Sequence, residues 1–193
     1  EIHEFTGLDY TLKEIVRCGV GDFVLNSNYK GFNVTIPYKT DVMPMLDIIS
    51  ERALRIGSVN TVINRNGVLY GDNTDYFGFK YMVEKSGIDI SGKKVLVLGS
   101  GGASITVQAV LRDMGACEVK VVSRNGEVNY SNIYSEKDAE IIVCADSGYD
   151  NCQKMNIVPH MILGDMDSVK TIPDNLPLFR VPAEKDLTDT QLC

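Results

Sequence analysis

The chain has 193 residues, a length that suits one domain or two small ones. Hydrophobic residues make up 44% and charged residues 23%, which excludes a disordered or collagen-like chain. Acidic residues number 26 against 19 basic ones, a formal net charge of −7. Nucleic acid and anionic membrane surfaces need a surplus of Lys and Arg on one face, so neither is an expected partner. No apolar run approaches the ~20 residues that span a bilayer, and no signal-peptide pattern opens the chain. The five cysteines are Cys18, Cys117, Cys144, Cys152 and Cys193; none forms a C-x-x-C pair, so reduced thiols in a cytoplasmic chain are expected. His3 and His160 are the two histidines, too few for a His-rich metal site. The chain opens at Glu1 without Met and stops at Cys193 in what reads as a helix start, so both ends read as cut.

In chain order, residues 9–16 suit a strand or a short helix. Residues 32–36 (F-N-V-T-I) are β-branched and aromatic and stop at Pro37, which predicts a strand. Residues 40–55 carry apolar side chains at helical spacing, with Pro44 in the first turn and Gly57 beyond the end, which predicts one helix. Strands are expected over 60–64 and 67–71 around Asn66-Gly67, a hairpin turn signal. Residues 75–85 have helical spacing, and Asp75 suits the cap or the first turn. The polar, glycine-rich stretch 86–92 reads as a linker between domains.

A sharper pattern follows. Lys94 to Leu98 (K-V-L-V-L) is an unbroken apolar run, as expected of a strand buried on both faces of a parallel sheet. Gly99-Ser100-Gly101-Gly102-Ala103-Ser104 comes next. Then residues 105–114 read as a helix closed by Gly115, and 118–123 as a strand. Further strands are expected over 140–145 and 161–163.

Strand, glycine turn, helix and strand together make a dinucleotide-binding context. Gly99 would permit the tight turn, Gly101 the close approach of a pyrophosphate, and the amides of Gly102 and Ala103 would face the phosphates at a helix N-terminus. The next strand ends at Ser123-Arg124, where an NAD-specific fold usually has an acid. A cation there suits a 2′-phosphate, so NADP is the expected cofactor. Upstream, three polar clusters sit at element ends: residues 33–39, 57–61 and 71–75. Together their amides, hydroxyls and charges suit a polyhydroxylated acidic small molecule.

Those clusters resemble shikimate dehydrogenase. G-F-N-V-T-I-P-Y-K, I-G-S-V-N-T-V and G-D-N-T-D-Y-F-G-F match that family's substrate-side signatures in order and spacing, and G-S-G-G-A-S its cofactor loop. The resemblance implies NADPH-dependent reduction of 3-dehydroshikimate to shikimate in aromatic amino-acid synthesis. It makes Lys39 the general acid/base and Asp75 its catalytic partner. Substrate binding falls to Asn33, Thr35, Asn60 and Asp75. Cofactor binding falls to Gly99, Ser100, Gly101, Gly102, Ala103, Ser123 and Arg124. The family's opening strand and Ser-x-Ser turn precede anything present here, and its later cofactor-domain segments do not follow residue 143.

From about residue 144 the chain is similar instead to the first domain of thiamine pyrophosphokinase, through C-A-D-S-G-Y-D-N-C, P-H-M-I-L-G-D-M-D-S and V-P-A-E-K-D-L-T-D-T-Q. That resemblance implies Mg²⁺ with ATP, and makes Asp146, Asp165 and Asp167 metal-binding carboxylates, with Asp186 and Asp189 beside them. The expected fold is α/β: a substrate lobe over 1–90, a Rossmann-like, doubly wound parallel half over 91–143, and a βα segment over 144–193. The first expectation is an NADP-dependent shikimate dehydrogenase, monomeric or homodimeric. The alternatives are a Mg-ATP diphosphotransferase fragment and a non-catalytic nucleotide-binding chain.

Overall fold

The computed structural model describes residues 11–35, 37–145, 148–164 and 178–180. By internal contacts the chain divides between Asn73 and Thr74 into two units.

The first unit holds a four-stranded sheet. Its strands are β1 (Gly31–Asn33), β2 (Ile48–Ile49), β3 (Thr61–Arg65) and β4 (Val68–Asp72), in the order β1-β3-β4-β2. β3 and β4 form an antiparallel hairpin. Its turn residues Asn66 and Gly67 both have positive φ, 55° and 87°, the pair of left-handed conformations that an Asn-Gly turn supplies at low cost. β2 runs parallel to β4, with Ile48 opposite Tyr70. Helix α1 (Val20–Asn26) and helix α2 (Glu51–Ile56) accompany the sheet. Val20, Val24, Val34, Val42, Ala53, Val59, Val62 and Leu69 form one buried cluster.

The single helix expected over 40–55 is not formed. A 3-10 turn (Met43–Met45) holds Pro44, Leu46 is extended, and β2 follows before α2 begins. Two local causes suffice. The β-branched Ile48–Ile49 pair takes a free edge of β4, and Ser50 caps a fresh helix by accepting a hydrogen bond from the Ala53 N–H (3.1 Å). Gly57 then ends α2 with φ 75°, as its sequence position leads one to expect. The strand expected over 32–36 closes at Asn33. Of the stretch 9–16, expected as a strand or a short helix, residues 11–16 form no regular element and residues 9–10 lie outside the described residues; α1 is not among the elements expected from the sequence.

The second unit is a parallel sheet of β5 (Lys94–Leu98), β6 (Glu118–Val122), β7 (Ile141–Ala145), β8 (Met161–Gly164) and β9 (Leu178–Arg180), in the order β6-β5-β7-β8-β9. Every neighbouring pair is parallel. Helix α3 (Asp75–Ser86) leads into it, α4 (Gly102–Asp113) joins β5 to β6, and α5 (Gly148–Lys154) joins β7 to β8. β5 is buried at Val95, Leu96, Val97 and Leu98, which is why its sequence shows no alternation. Tyr76 on α3 donates its hydroxyl to Asp113 Oδ2 on α4 (2.7 Å). α3 therefore packs with the parallel sheet's own helix. The unit division at 73/74 consequently falls upstream of the linker expected over 86–92, and within that stretch Ile90 is buried.

A charge network closes the N-terminal ends of β5 and β6. Lys94 Nζ lies 2.7 Å from Glu136 Oε2, 2.8 Å from Asp138 and 3.4 Å from Glu118; Lys120 Nζ is 3.0 Å from Glu136 and 3.5 Å from Glu118. Hydrogen bonds from Lys94 and then Lys120 hold the Glu136 carboxyl below its ordinary range, and the Lys94 hydrogen bond does the same for Asp138. A depressed carboxylate adds stability above its unfolded pKa and loses it as pH falls toward the folded value. The melting temperature is therefore expected to hold as pH drops to about 4, the ordinary carboxylate range, and to fall below it. Glu136→Gln lowers the neutral-pH melting temperature and flattens that acid limb; an unchanged limb in thermal melts from pH 7 to 3 contradicts the assignment.

Candidate functional site

The three polar clusters of the first unit meet through backbone hydrogen bonds at one end of its sheet. The Val34 N–H donates to the Asn60 carbonyl (2.7 Å), the Val59 N–H to the Lys39 carbonyl (2.8 Å) and the Asn60 N–H to the Asp72 carbonyl (3.1 Å). In register, Asn33 faces Thr61, and Thr61 faces Asp72. Residues 33–35, 37–39, 59–61 and 71–73 are thus brought side by side, although 20 positions of chain separate the first cluster from the second (39 to 59) and 10 the second from the third (61 to 71). Among the predicted substrate residues, Asn60 is fully buried, Asn33 half-buried and Thr35 exposed; the predicted acid/base Lys39 is half-buried. Thr61 Oγ1 donates to Asn60 Oδ1 (3.0 Å), which orients the Asn60 amide.

Asn33 and Thr35 also line a cleft of about 400 Å³, walled on its apolar side by Phe23, Val24, Phe32 and Val34. The Asn33 Nδ2 atom is shielded from solvent and has no hydrogen-bond partner. A shielded donor without an acceptor is costly unless a ligand oxygen satisfies it.

Two residues outside the motifs, Arg52 and Ser50, and a contact between two motifs set the position of the G-D-N-T-D loop. Arg52 on α2 pairs with Asp72 Oδ2 (2.5 Å) and donates through Nε to the Asn73 carbonyl (3.3 Å). Ser50 donates to Asp72 Oδ1 (2.5 Å), and the Asn73 side chain donates to the Ser58 carbonyl (2.9 Å). Sequence periodicity hid this set, because it merged Ser50 and Arg52 into the longer helix that does not form. Ser immediately before Glu51 was the available signal, as an N-cap.

Asp75 is the first residue of α3 in the second unit and is buried. Its carboxylate at the start of a helix is favoured by the dipole. The predicted cofactor residues Gly99, Ser100, Gly101, Gly102 and Ala103 form the bend from β5 into α4. Gly99 has φ 114°, and a Cβ there would stand 2.8 Å from the Ala145 carbonyl oxygen. Only glycine fits such a turn. Gly101 is extended and precedes the first helical turn; the Ser104 N–H donates to the Gly101 carbonyl (3.0 Å), while the Gly102 and Ala103 amides stand at the helix start, where no preceding turn supplies an acceptor. Ser104 sits buried in that turn, 1% exposed, so a small side chain is required where a third glycine is common. Ser123 and Arg124 follow β6 in a tight loop: Ser123 N–H donates to the Val128 carbonyl (3.2 Å), and Arg124 is exposed. The bend lies at the C-terminal ends of β5 and β7. There the strand order turns back on itself, the place where open α/β sheets bind ligands.

Asp146, Asp165, Asp167, Asp186 and Asp189 lie outside the described residues. Among the described residues no group of three or more His, Cys, Asp or Glu is placed to hold a metal ion, and no helix is long and apolar enough to cross a membrane.

Two family models match. The shikimate dehydrogenase substrate binding domain covers residues 8–62, and the thiamin pyrophosphokinase catalytic domain covers residues 134–193. An NADP(+) shikimate dehydrogenase from Clostridium perfringens is 49% identical over 98 residues, which is 51% of this chain and 36% of that enzyme. One from Alkaliphilus metalliredigens is 42% identical over 131 residues, 63% of this chain and 44% of the relative. The chain therefore spans less than half the length of these curated relatives. Among solved structures, a chorismate mutase/shikimate 5-dehydrogenase fusion protein from Clostridium acetobutylicum superposes with a TM-score of 0.66 at 35% identity, covering 74% of this chain and 58% of that one. The Thermus thermophilus shikimate 5-dehydrogenase in complex with NADP(H) and shikimate gives 0.62 at 30% identity, covering 75% and 60%. The chain is thus similar to shikimate dehydrogenase, with the substrate-domain match over residues 8–62, and carries a thiamin pyrophosphokinase match over residues 134–193.

Proposed function

We propose that this chain is an NADP-dependent shikimate dehydrogenase or a remnant of one, acting on 3-dehydroshikimate and shikimate. The observation that carries the proposal is the splice of three separated motifs through the Asn60 peptide, together with 49% identity over 98 residues to a curated NADP(+) enzyme. In this reading Asn33, Thr35 and Asn60 bind the substrate's hydroxyl groups. The unpartnered Asn33 amide supports that assignment, since it supplies a donor that a hydroxyl oxygen satisfies. Lys39 delivers a proton to the carbonyl oxygen in reduction and removes it in oxidation. Asp75 is the carboxylate that the motif match assigns to the same proton chemistry and to substrate binding.

The second unit's residues fit NADP. A left-handed Gly99, an extended Gly101 and the Gly102 and Ala103 amides at the start of α4 make a cradle for a diphosphate. Exposed Arg124 after β6 suits a 2′-phosphate. Bound NADP supplies hydride transfer; this chain's residues hold it and handle the proton. A second reading, a Mg-ATP diphosphotransferase fragment, is supported by the family match over 134–193 alone.

Purified chain is expected to oxidise shikimate with NADP, and NADPH raises its melting temperature by linkage. A shift with Mg-ATP and none with NADPH would favour the second reading. Lys39→Ala lowers kcat by about 10²–10⁴-fold, the usual contribution of a general acid/base; turnover at wild-type rate removes Lys39 from the chemistry. Arg124→Glu weakens NADPH much more than NADH in fluorescence titrations, and equal losses defeat the 2′-phosphate assignment. Gly99→Ala costs about 1–3 kcal/mol of stability from strain at a positive φ and weakens NADPH; a variant matching the parent in urea melts and titration would contradict the tight-bend argument.

A further inference from the structure

We infer that Cys144 and Cys152 form a site of reversible oxidation, closing to an intrachain disulfide that fastens α5 to β7. Cys144 stands on β7 and Cys152 on α5, eight residues apart. Their Sγ atoms are 3.1 Å apart and hydrogen-bonded to each other. A disulfide needs the sulfurs about 1 Å nearer, at roughly 2.05 Å. Both thiols are fully buried in the cluster formed by Leu96, Leu98, Val122, Tyr149 and Ile162, so neither faces a competing partner. Cys18 and Cys117, by contrast, are exposed.

The surroundings explain what the bridge would hold. α5 begins at Gly148, packed so closely on the Leu98 carbonyl that a Cβ would overlap it. Leu98 is the last residue before the glycine bend, and the Ala145 carbonyl, one residue past Cys144, abuts Gly99. The two sulfurs therefore tie together the strand and the helix that back the bend. α5 has only seven residues, too few to be stable without its packing, and lifts more readily than the strand beneath it. In the closed fold the hydrogen bond to Cys152, followed by burial, keeps the Cys144 thiol protonated, hence slow to react. Lifting of α5 admits the oxidant. With a peroxide, one sulfur takes an oxygen and becomes a sulfenic acid, the peroxide leaving as water. The second thiol attacks that sulfur, the S–S bond forms, and a second water leaves. The site passes from two thiols to one disulfide as the peroxide is reduced to two waters.

The test uses the whole chain and a Cys18→Ser/Cys117→Ser/Cys193→Ser variant that leaves only this pair. After dilute hydrogen peroxide, denaturing alkylation of the parent is expected to label three of its five cysteines. In the triple variant both remaining thiols disappear together while the chain stays monomeric on a non-reducing gel. The tryptic peptide spanning 138–154, which contains both cysteines, becomes lighter by two hydrogen atoms, and dithiothreitol reverses the change. Amide exchange across 148–154 slows in the oxidised form. Cys152→Ala abolishes the peptide change. Thiols of the triple variant that survive peroxide, convert to sulfinic acid or join separate chains would overturn the inference. So would a parent bridge between other cysteines.

Discussion

The peptide group of Asn60 is the point on which the first unit turns. Its carbonyl accepts from Val34 and its N–H donates to Asp72, so one residue joins the end of β1 to the end of β4 across the start of β3. Each bond is individually worth about 1 kcal/mol net. What they contribute is position. Asn60 is fully buried, and a buried peptide left unpaired is costly, so the three segments have few alternative arrangements. Polar residues that would be unremarkable turn residues in isolation become a set with fixed spacing.

A second layer of support lies behind that set. Arg52 and Ser50 both reach Asp72, and Asn73 reaches back to Ser58. Asp72 thereby has each carboxylate oxygen occupied, and the loop that precedes Asp75 is held from outside by α2. Ser50 serves two ends at once: it caps α2 and fixes Asp72. The break between β2 and α2 is therefore useful to the site, because a continuous helix over 40–55 would leave the edge of β4 unpaired.

The parallel sheet meets a different demand. It continues without a fault in pairing through the region where similarity passes from one family to the other. β7 pairs with β5 from Val95↔Ile141 to Leu98↔Cys144, and β8 extends β7 from Val143↔Met161. Parallel βα units are interchangeable at this level, because each presents an apolar strand and a helix to its neighbours. The tight points at the seam are glycines: Gly99 against Ala145 and Gly148 against Leu98. Gly99 follows the end of β5 and Gly148 opens α5, and neither tolerates a side chain.

Local chemistry in the sequence was enough for the hairpin at Asn66-Gly67, the end of α2 at Gly57, the buried run of β5 and the glycine bend, because each is set by backbone freedom or by burial on both faces. The motif residues were legible for a different reason: their order and spacing match a known pattern. Periodicity failed at 40–55, where apolar residues at helical spacing serve a turn, a strand and a short helix in succession. Which element forms there depends on the open edge of β4 and on Asp72 waiting for Ser50 and Arg52, and both partners lie about 20 residues downstream. The same holds for α3, whose place beside α4 is decided by Tyr76 and Asp113, and for Cys144 and Cys152, which only the packing of α5 on β7 brings into contact. Composition and spacing determine what a segment is able to form; the partner supplied by the rest of the chain decides what it does form, since burial and hydrogen bonding reward only the conformation that finds one.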